Sequence, residues 1–332
     1  MTIVDDDLAT AVGMLHDRLG ERVRRDVPLA PMTTYRVGGS AAVFVDAVDV
    51  EDLLAVADVR RATGVPVLVV GRGSNMLVAD TGFDGVALSI AGFADTMALP
   101  APGQFGAPCV VTAGGGVSLP VLARRTAAAA ITGFEWAVGV PGSIGGAVRM
   151  NAGGHGSDMA ACLLDVDVVD LDTGDGVTTM AVDELGLRFR ASSLAPSAVV
   201  VRARLALAFG DRQTSEREIA EIVRWRREHQ PGGQNCGSVF VNPVPYEVAA
   251  GGLIDSLGLR GFRIGTAWVS EKHANFVQAS EGGRAADVRA VIDAVRARVA
   301  EETGYRLRSE VRLVGFDDTD PMSFDDRLEA GE

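Results

Sequence analysis

The stretches of this chain best suited to chemistry are loops almost without side chains. From Gly133 to Gly156 eight of 24 residues are glycine, interrupted by Pro141 and a few small or apolar residues, and no helical or strand period persists. Glycine lets backbone N–H groups approach a ligand closely, which suits a diphosphate. The alternative, a flexible linker, fits poorly with Phe134, Trp136, Val138, Val140, Ile144 and Val148, which are residues of packed structure. Two further loops have the same character. An apolar strand, Val65–Val70, runs into Gly71-Arg-Gly-Ser-Asn75, and Cys109-Val-Val-Thr-Ala runs into Gly114-Gly-Gly116. Neither loop fits Gly-x-Gly-x-x-Gly or the P-loop pattern, so a nicotinamide Rossmann site and a P-loop nucleotide site are both unsupported. Three separate glycine loops instead suggest one extended cofactor lying across several turns, and FAD has the length and the central diphosphate for this.

Other chemistry finds little support in the composition. The three cysteines, Cys109, Cys162 and Cys236, are odd in number and far apart, which indicates neither a disulfide framework nor a zinc site; they read as small apolar fillers. His155 and His229 lack partners at ligand spacing, and no metal is expected. A formal net charge of −13 disfavours nucleic acid and anionic membrane surfaces. No apolar run approaches a membrane span, and the acidic start is unlike a secretory signal, so a cytoplasmic protein is expected. Arginine supplies nearly all of the positive charge, since Lys272 is the single lysine.

The elements that must position these loops read as an α+β pattern. Helices are expected over Asp7–Leu19, Asp49–Gly64, Ser118 to about Thr132, Val248–Leu257 and Ala285–Glu302. A further helix is expected to open at Ser215 through a capping box with Glu218 and to run to about His229, burying Ile219, Ile222 and Val223. Strands are expected at Leu163–Leu171, Val177–Val182, Ala198–Phe209 with Arg202 and Arg204 on its exposed face, and Arg306–Val314. Residues 31–39 read as a polar, strand-like entry. The chain divides into a lead-in over 1–30, a cofactor-binding domain over 31–211 with subdomains of about 31–90 and 91–211, a C-terminal domain over 212–316, and an acidic tail, 317–332, expected to be disordered.

Six motifs stand in register with a known family: Thr34-Tyr-Arg-Val-Gly-Gly39, Gly71-Arg-Gly-Ser-Asn75, Gly139–Val148 with Asn151-Ala-Gly153, Gly237-Ser-Val-Phe-Val-Asn-Pro243, Lys272-His-Ala-Asn-Phe276 and Ser309-Glu-Val-Arg312. Over residues 30–315 the chain resembles MurB, the UDP-N-acetylenolpyruvoylglucosamine reductases of peptidoglycan precursor synthesis, in their shorter-loop subgroup. The resemblance implies an α+β protein with a vanillyl-alcohol-oxidase-type FAD-binding domain of two subdomains and a C-terminal substrate domain. It implies NADPH as hydride donor and a nucleotide-sugar substrate; a monomer is expected, with an oligomer left open. Arg190, Ser238 and Glu310 match the family's catalytic residues. The cofactor positions are Tyr35, Arg36, Gly71, Arg72, Gly73, Ser74, Asn75, Gly115, Gly116, Gly139, Pro141, Gly142, Ser143, Gly145, Gly146, Asn151, Ala152 and Gly153. Substrate positions are Phe189, Arg226, Asn242, Lys272, His273 and Asn275.

The chain departs from the family at three positions. Phe189 stands where tyrosine is usual, Val241 where a basic residue is common, and Ala191 where a polar one follows the arginine. Ser74 occupies the loop position at which related oxidases tether flavin through histidine, so the FAD is expected to be non-covalent. Each catalytic residue also has an ordinary alternative: a solvated strand face for Arg190, a turn for Ser238, and a pair with Arg308 or Arg312 for Glu310. Two rival functions remain, another flavoenzyme of the same fold and a non-catalytic nucleotide-sugar binder.

Overall fold

The computed structural model describes residues 5–93, 96–244 and 247–316. The expected acidic tail lies outside them. The chain forms two compact units. One comprises Met1–Asp26, Ala42–Arg72 and Asp84–Arg226; the other comprises Val27–Ala41, Gly73–Phe83 and Arg227–Glu332.

Besides a two-stranded pairing of Gly153–Gly154 with Ser157–Asp158, the first unit holds two large sheets. In one, the strands Val23–Pro28, Ser40–Asp46, Phe83–Ser89 and Val67–Val70 lie in that order, the last two parallel. The helices Asp5–Leu19 and Val50–Thr63 supply its cover, because Leu15, Leu53, Val56 and Ala57 recur at helical spacing and pack with Val43, Val45, Val86 and Leu88. Asp49 caps the second helix by accepting from the Asp52 N–H at 3.0 Å.

The other sheet is antiparallel and centres on the long strand Ala198–Phe209, flanked by Leu163–Asp170 and Pro108–Gly114. Its inner face meets the helix Leu119–Ala128, the turn Glu135–Gly139 and the short helix Ile144–Arg149 in one apolar core. Its outer face is an ion-pair ladder. Asp167, 3% exposed, accepts from Arg202 Nε at 2.7 Å, Arg204 Nη2 at 3.0 Å and Thr179 Oγ1 at 2.8 Å, so the two arginines are cross-strand partners rather than freely solvated charges.

The second unit stacks the helix Ala285–Thr303 on three short antiparallel strands, Arg263–Ile264, Ala267–Val269 and Val277–Ala279. The helix buries Val288, Val291, Ile292, Val295 and Val299 as the periodicity requires. Asp80 caps it by accepting from the N–H groups of Ala285 and Ala286 at 2.8 and 3.1 Å. A parallel pairing of Arg312–Val314 with Met76–Val78 and burial of Tyr35, Val37 and Leu77 in the same core explain why two N-terminal segments join the C-terminal third. Single cuts at 31 and 212 differ from this interleaved division, since pairing between distant segments leaves no local mark in sequence.

Several boundaries differ from the periodicity. The helix expected from Ser215 spans Arg212–His229, because Asp211 rather than Ser215 accepts the capping bond, from the Thr214 N–H at 2.8 Å. The helix after Ser118 stops at Ala128; Ala130 turns to a left-handed φ of 55° and Ile131–Thr132 pairs with the long strand. Residues 31–39 form no strand but follow a 3-10 turn at Ala30–Met32. The closing strand is only Arg312–Val314, and the helix expected at Val248 spans Ala250–Ser256.

Candidate active site

Within the first unit the glycine loops are stitched together by their backbones. Gly145 N–H donates to the Gly115 carbonyl at 2.8 Å, Ile144 N–H to Val117 at 2.8 Å and Leu119 N–H to Gly142 at 3.1 Å. A Cβ on Gly115 would lie 1.9 Å from the Val200 carbonyl oxygen, so no side chain fits there, and one on Gly71 would lie 2.5 Å from Ser143 Oγ and displace that hydroxyl. Ser143 is 3% exposed, and its Oγ accepts from Gly146 N–H at 3.4 Å to cap the short helix. Among the described residues no acceptor pairs with the N–H groups of Gly116, Gly142 or Ser143. Unclaimed backbone donors beside a glycine surface suit the diphosphate of FAD, and these residues fit that group.

The same unit holds Arg190. Arg188 and Ala191 exchange backbone hydrogen bonds of 3.0 Å in each direction, leaving Phe189 and Arg190 at the tip of a tight turn. Arg190 has a left-handed φ of 57°, and its Nη2 donates to the Gly153 carbonyl at 3.0 Å. The guanidinium also stands 5.2 Å from the Phe189 ring centroid. Asn151 fixes this arrangement: Nδ2 reaches the Arg188 carbonyl and Asp158 Oδ2, each at 3.2 Å, and Oδ1 accepts from Ala160 N–H at 2.9 Å. Its side chain is therefore structural, and the residue brings the arginine to the Asn151-Ala152-Gly153 motif. Arg72, Gly139, Pro141 and Gly146 lie in this unit as well. So does Arg226, half-buried, with an acidity raised by burial.

In the second unit Ser238 and Glu310 share one backbone framework. Glu310 N–H donates to the Val239 carbonyl at 2.7 Å and Val241 N–H to Arg308 at 2.9 Å, while Asn75 Nδ2 donates to the Glu310 carbonyl at 2.7 Å. Asn275, 5% exposed, clamps the other side: Oδ1 accepts from Phe240 N–H at 3.0 Å and Nδ2 donates to the Phe240 carbonyl at 2.8 Å. Asn242 Oδ1 accepts from Ala250 N–H at 3.0 Å. Asn75, Asn242 and Asn275 thus hold backbone in place, and none has its whole amide left for a ligand.

His273 Nδ1 accepts from Asn275 N–H at 3.2 Å; burial, then Arg260, lowers its basicity, so it is neutral. Lys272 Nζ donates to the Arg227 carbonyl. Thr34 N–H donates to the Gly73 carbonyl at 3.2 Å, and Thr34 Oγ1 to the Ser74 carbonyl at 3.4 Å. Tyr35 is 0% exposed, so its ring belongs to the core, while Arg36 is exposed at a left-handed φ of 52°. Three buried polar groups were not readable as such: Glu135, Ser215 and Cys236. An acidic residue inside the apolar glycine stretch was the available signal for Glu135. Among the described residues no group of three or more His, Cys, Asp or Glu is placed to hold a metal, and no helix is long and apolar enough to cross a membrane.

The first unit's glycine surface lies within a match to the FAD binding domain over residues 41–179, and this match together with the chain's similarity to reductases marks the protein as a FAD-binding oxidoreductase. Residues 229–314 match the C-terminal domain of UDP-N-acetylenolpyruvoylglucosamine reductases. The reductase of Heliobacterium modesticaldum is 43% identical over 291 residues, 87% of this chain and 89% of that protein. The reductase of Anaeromyxobacter sp. is 39% identical over 95% of this chain and 94% of its own. A crystal structure of the enzyme (MurB) from Thermus caldophilus superposes with a TM-score of 0.73 at 34% identity, covering 88% of this chain and 99% of the other. The chain belongs to the UDP-N-acetylenolpyruvoylglucosamine reductase family.

Proposed function

We propose that the protein reduces UDP-N-acetylglucosamine enolpyruvate to UDP-N-acetylmuramate with NADPH, as a cytoplasmic, monomeric step of peptidoglycan precursor synthesis. The observation carrying the catalytic assignment is the placement of the Arg190 guanidinium against Gly153, at the edge of the glycine surface that fits FAD. Gly71, Arg72, Gly115, Gly116, Gly142, Ser143, Gly145 and Gly146 would hold the cofactor. Bound FAD supplies the hydride, taken from NADPH and given to the terminal carbon of the enolpyruvyl group.

The chain's own groups manage the charge that results. As the electron pair moves toward the substrate carboxylate, Arg190 offers fixed N–H donors to the enolate oxygens. Ser238 Oγ–H delivers the proton to the carbon next to the carboxylate, and Glu310 holds the enol form. Asn75 and Asn275 fix the backbone segments that carry Glu310 and Ser238 and so lower the cost of orienting them. Arg226, Asn242, Lys272 and His273 are the substrate contacts on this reading, with His273 donating through Nε2 because Nδ1 already accepts from Asn275.

The test is to purify the protein, record its visible spectrum and follow NADPH oxidation with and without the enolpyruvyl nucleotide. A yellow preparation whose NADPH oxidation requires that substrate is expected. A colourless preparation that refuses added FAD would sink the reading, as would NADPH consumption indifferent to the nucleotide.

A further inference from the structure

Beneath the Ser238 turn lie two proton-bearing groups that the reaction does not use. Cys236 is 6% exposed and Tyr35 is 0% exposed, and both belong to the core that contains Val239 and Phe240. The Tyr35 hydroxyl makes no aligned hydrogen bond among the described residues. Its polar neighbour is the Cys236 thiol, close enough for each group to alter the other's acidity. A buried hydroxyl without a good partner destabilises the fold. Phenylalanine would fill the same space without that cost.

Among the described residues the segment around the thiol is anchored on both sides of Ser238, at Gln234 and at Val239. Gln234 pairs through its backbone with Ala279 at 3.0 Å, and its side-chain amide reaches the Tyr35 and Ser280 carbonyls at 2.8 and 3.0 Å. Asn235 Oδ1 accepts from Gly237 N–H at 3.1 Å, and Val239 N–H donates to the Asn275 carbonyl at 2.9 Å. Burial pushes the thiol up to about 12; the Tyr35 hydroxyl pulls against this and the Glu310 carboxylate adds to it. Burial likewise holds the phenol far above its usual range. Both groups stay protonated at neutral pH, so the support beneath the Ser238 turn is uncharged.

We propose that the Tyr35 hydroxyl and the Cys236 thiol form a buried support that positions Ser238 and Glu310 for the proton-transfer half of the reaction. Both are positioning residues, and the inference rests on the catalytic assignment of Ser238 and Glu310 above. Its chemical content is specific: the hydroxyl and the sulfur matter, beyond the volume they fill.

The experiment separates the two half-reactions of the holoenzyme in stopped flow for wild type, Tyr35→Phe and Cys236→Ser. Flavin bleaching by NADPH is expected to stay within about twofold of wild type in both variants, as the half-reaction that needs no proton donor. Flavin reoxidation by UDP-N-acetylglucosamine enolpyruvate is expected to slow about tenfold or more, with its pH profile displaced. Wild-type reoxidation rates and pH profile in either folded variant would overturn the proposal. If Tyr35→Phe does not fold, Cys236→Ser decides alone. Loss of folded yellow protein in both assigns the pair to scaffolding and also overturns it. A wild-type enzyme that the enolpyruvyl nucleotide fails to reoxidise instead removes the functional reading itself.

Discussion

The two units build their parts of the machinery by opposite means. In the first, the surface that fits FAD is made by leaving side chains out: Gly115 has no room for a Cβ, one on Gly71 would displace the Ser143 hydroxyl, and the donors are backbone N–H groups. In the second, the framework of Ser238 and Glu310 is made by adding side chains, with the amides of Asn75, Asn275 and Asn242 bonded to neighbouring backbone. A diphosphate asks for many donors at close range, which bare backbone provides. A proton donor and a carboxylate must instead be held at fixed angles to a reacting carbon, which needs side chains that are themselves clamped. The two strategies also fail differently, since a cradle is damaged by what is inserted and a clamp by what is removed.

The largest expected effect tests the second unit's chemistry. Ser238→Ala should lower the rate of product formation by about 10²–10⁴-fold, the usual contribution of a positioned acid, while NADPH still bleaches the flavin. Equal losses in both half-reactions would mean that Ser238 supports the fold. Next comes the clamp. Asn275→Ala leaves the Phe240 N–H and carbonyl buried without partners and should cost about 2–4 kcal/mol in urea unfolding. In the first unit the damaging change is an addition. Gly115→Ala drives a methyl against the Val200 carbonyl and should cost about 1–3 kcal/mol, with FAD released more readily on dilution. If Gly115→Ala kept its FAD and its stability, the cradle would not be the rigid surface described.

The same contrast explains what could be read from the sequence. A site made by omission is conspicuous there, because eight glycines among 24 residues stand out. Amphipathic elements were equally legible: Ala198–Phe209 forms as expected, and the Ala285 helix buries every valine of its stripe. The clamp was not legible, since Asn75 and Glu310 are 235 positions apart. Nothing in local composition joins them, and only the family resemblance singled out Asn75, Asn242 and Asn275. That resemblance marked them as ligand contacts, and part of each amide is engaged with backbone. Ser215 misled for a related reason. Its hydroxyl looks like a cap in sequence but is spent on Glu135 at 2.5 Å, and Asp211 does the capping.

Glu135 is where the first unit breaks its own rule, and it yields the smallest expected effect. It is 4% exposed, sits within the glycine stretch, and accepts from Ser215 Oγ and from Gly133 N–H at 2.8 Å. Burial favours its neutral form, but the Ser215 hydroxyl and the neighbouring backbone outweigh this and hold the carboxyl below its ordinary 4.5. A carboxylate depressed in the folded state stabilises above its unfolded value, and that contribution disappears as pH falls through the folded value. Glu218 on the same helix has the opposite sign, raised by burial and then by Glu135 and Glu221. The difference between wild type and Glu135→Gln carries the contribution of the depressed group, less the part by which the substitution relieves Glu218. Wild type should lose its stability margin over Glu135→Gln as pH falls below the ordinary carboxyl value of 4.5 in urea titrations. A margin that stays constant across that range would mean that the carboxylate's charge plays no part in tying the Arg212–His229 helix to the glycine stretch. The Glu135 side chain would then serve by shape alone.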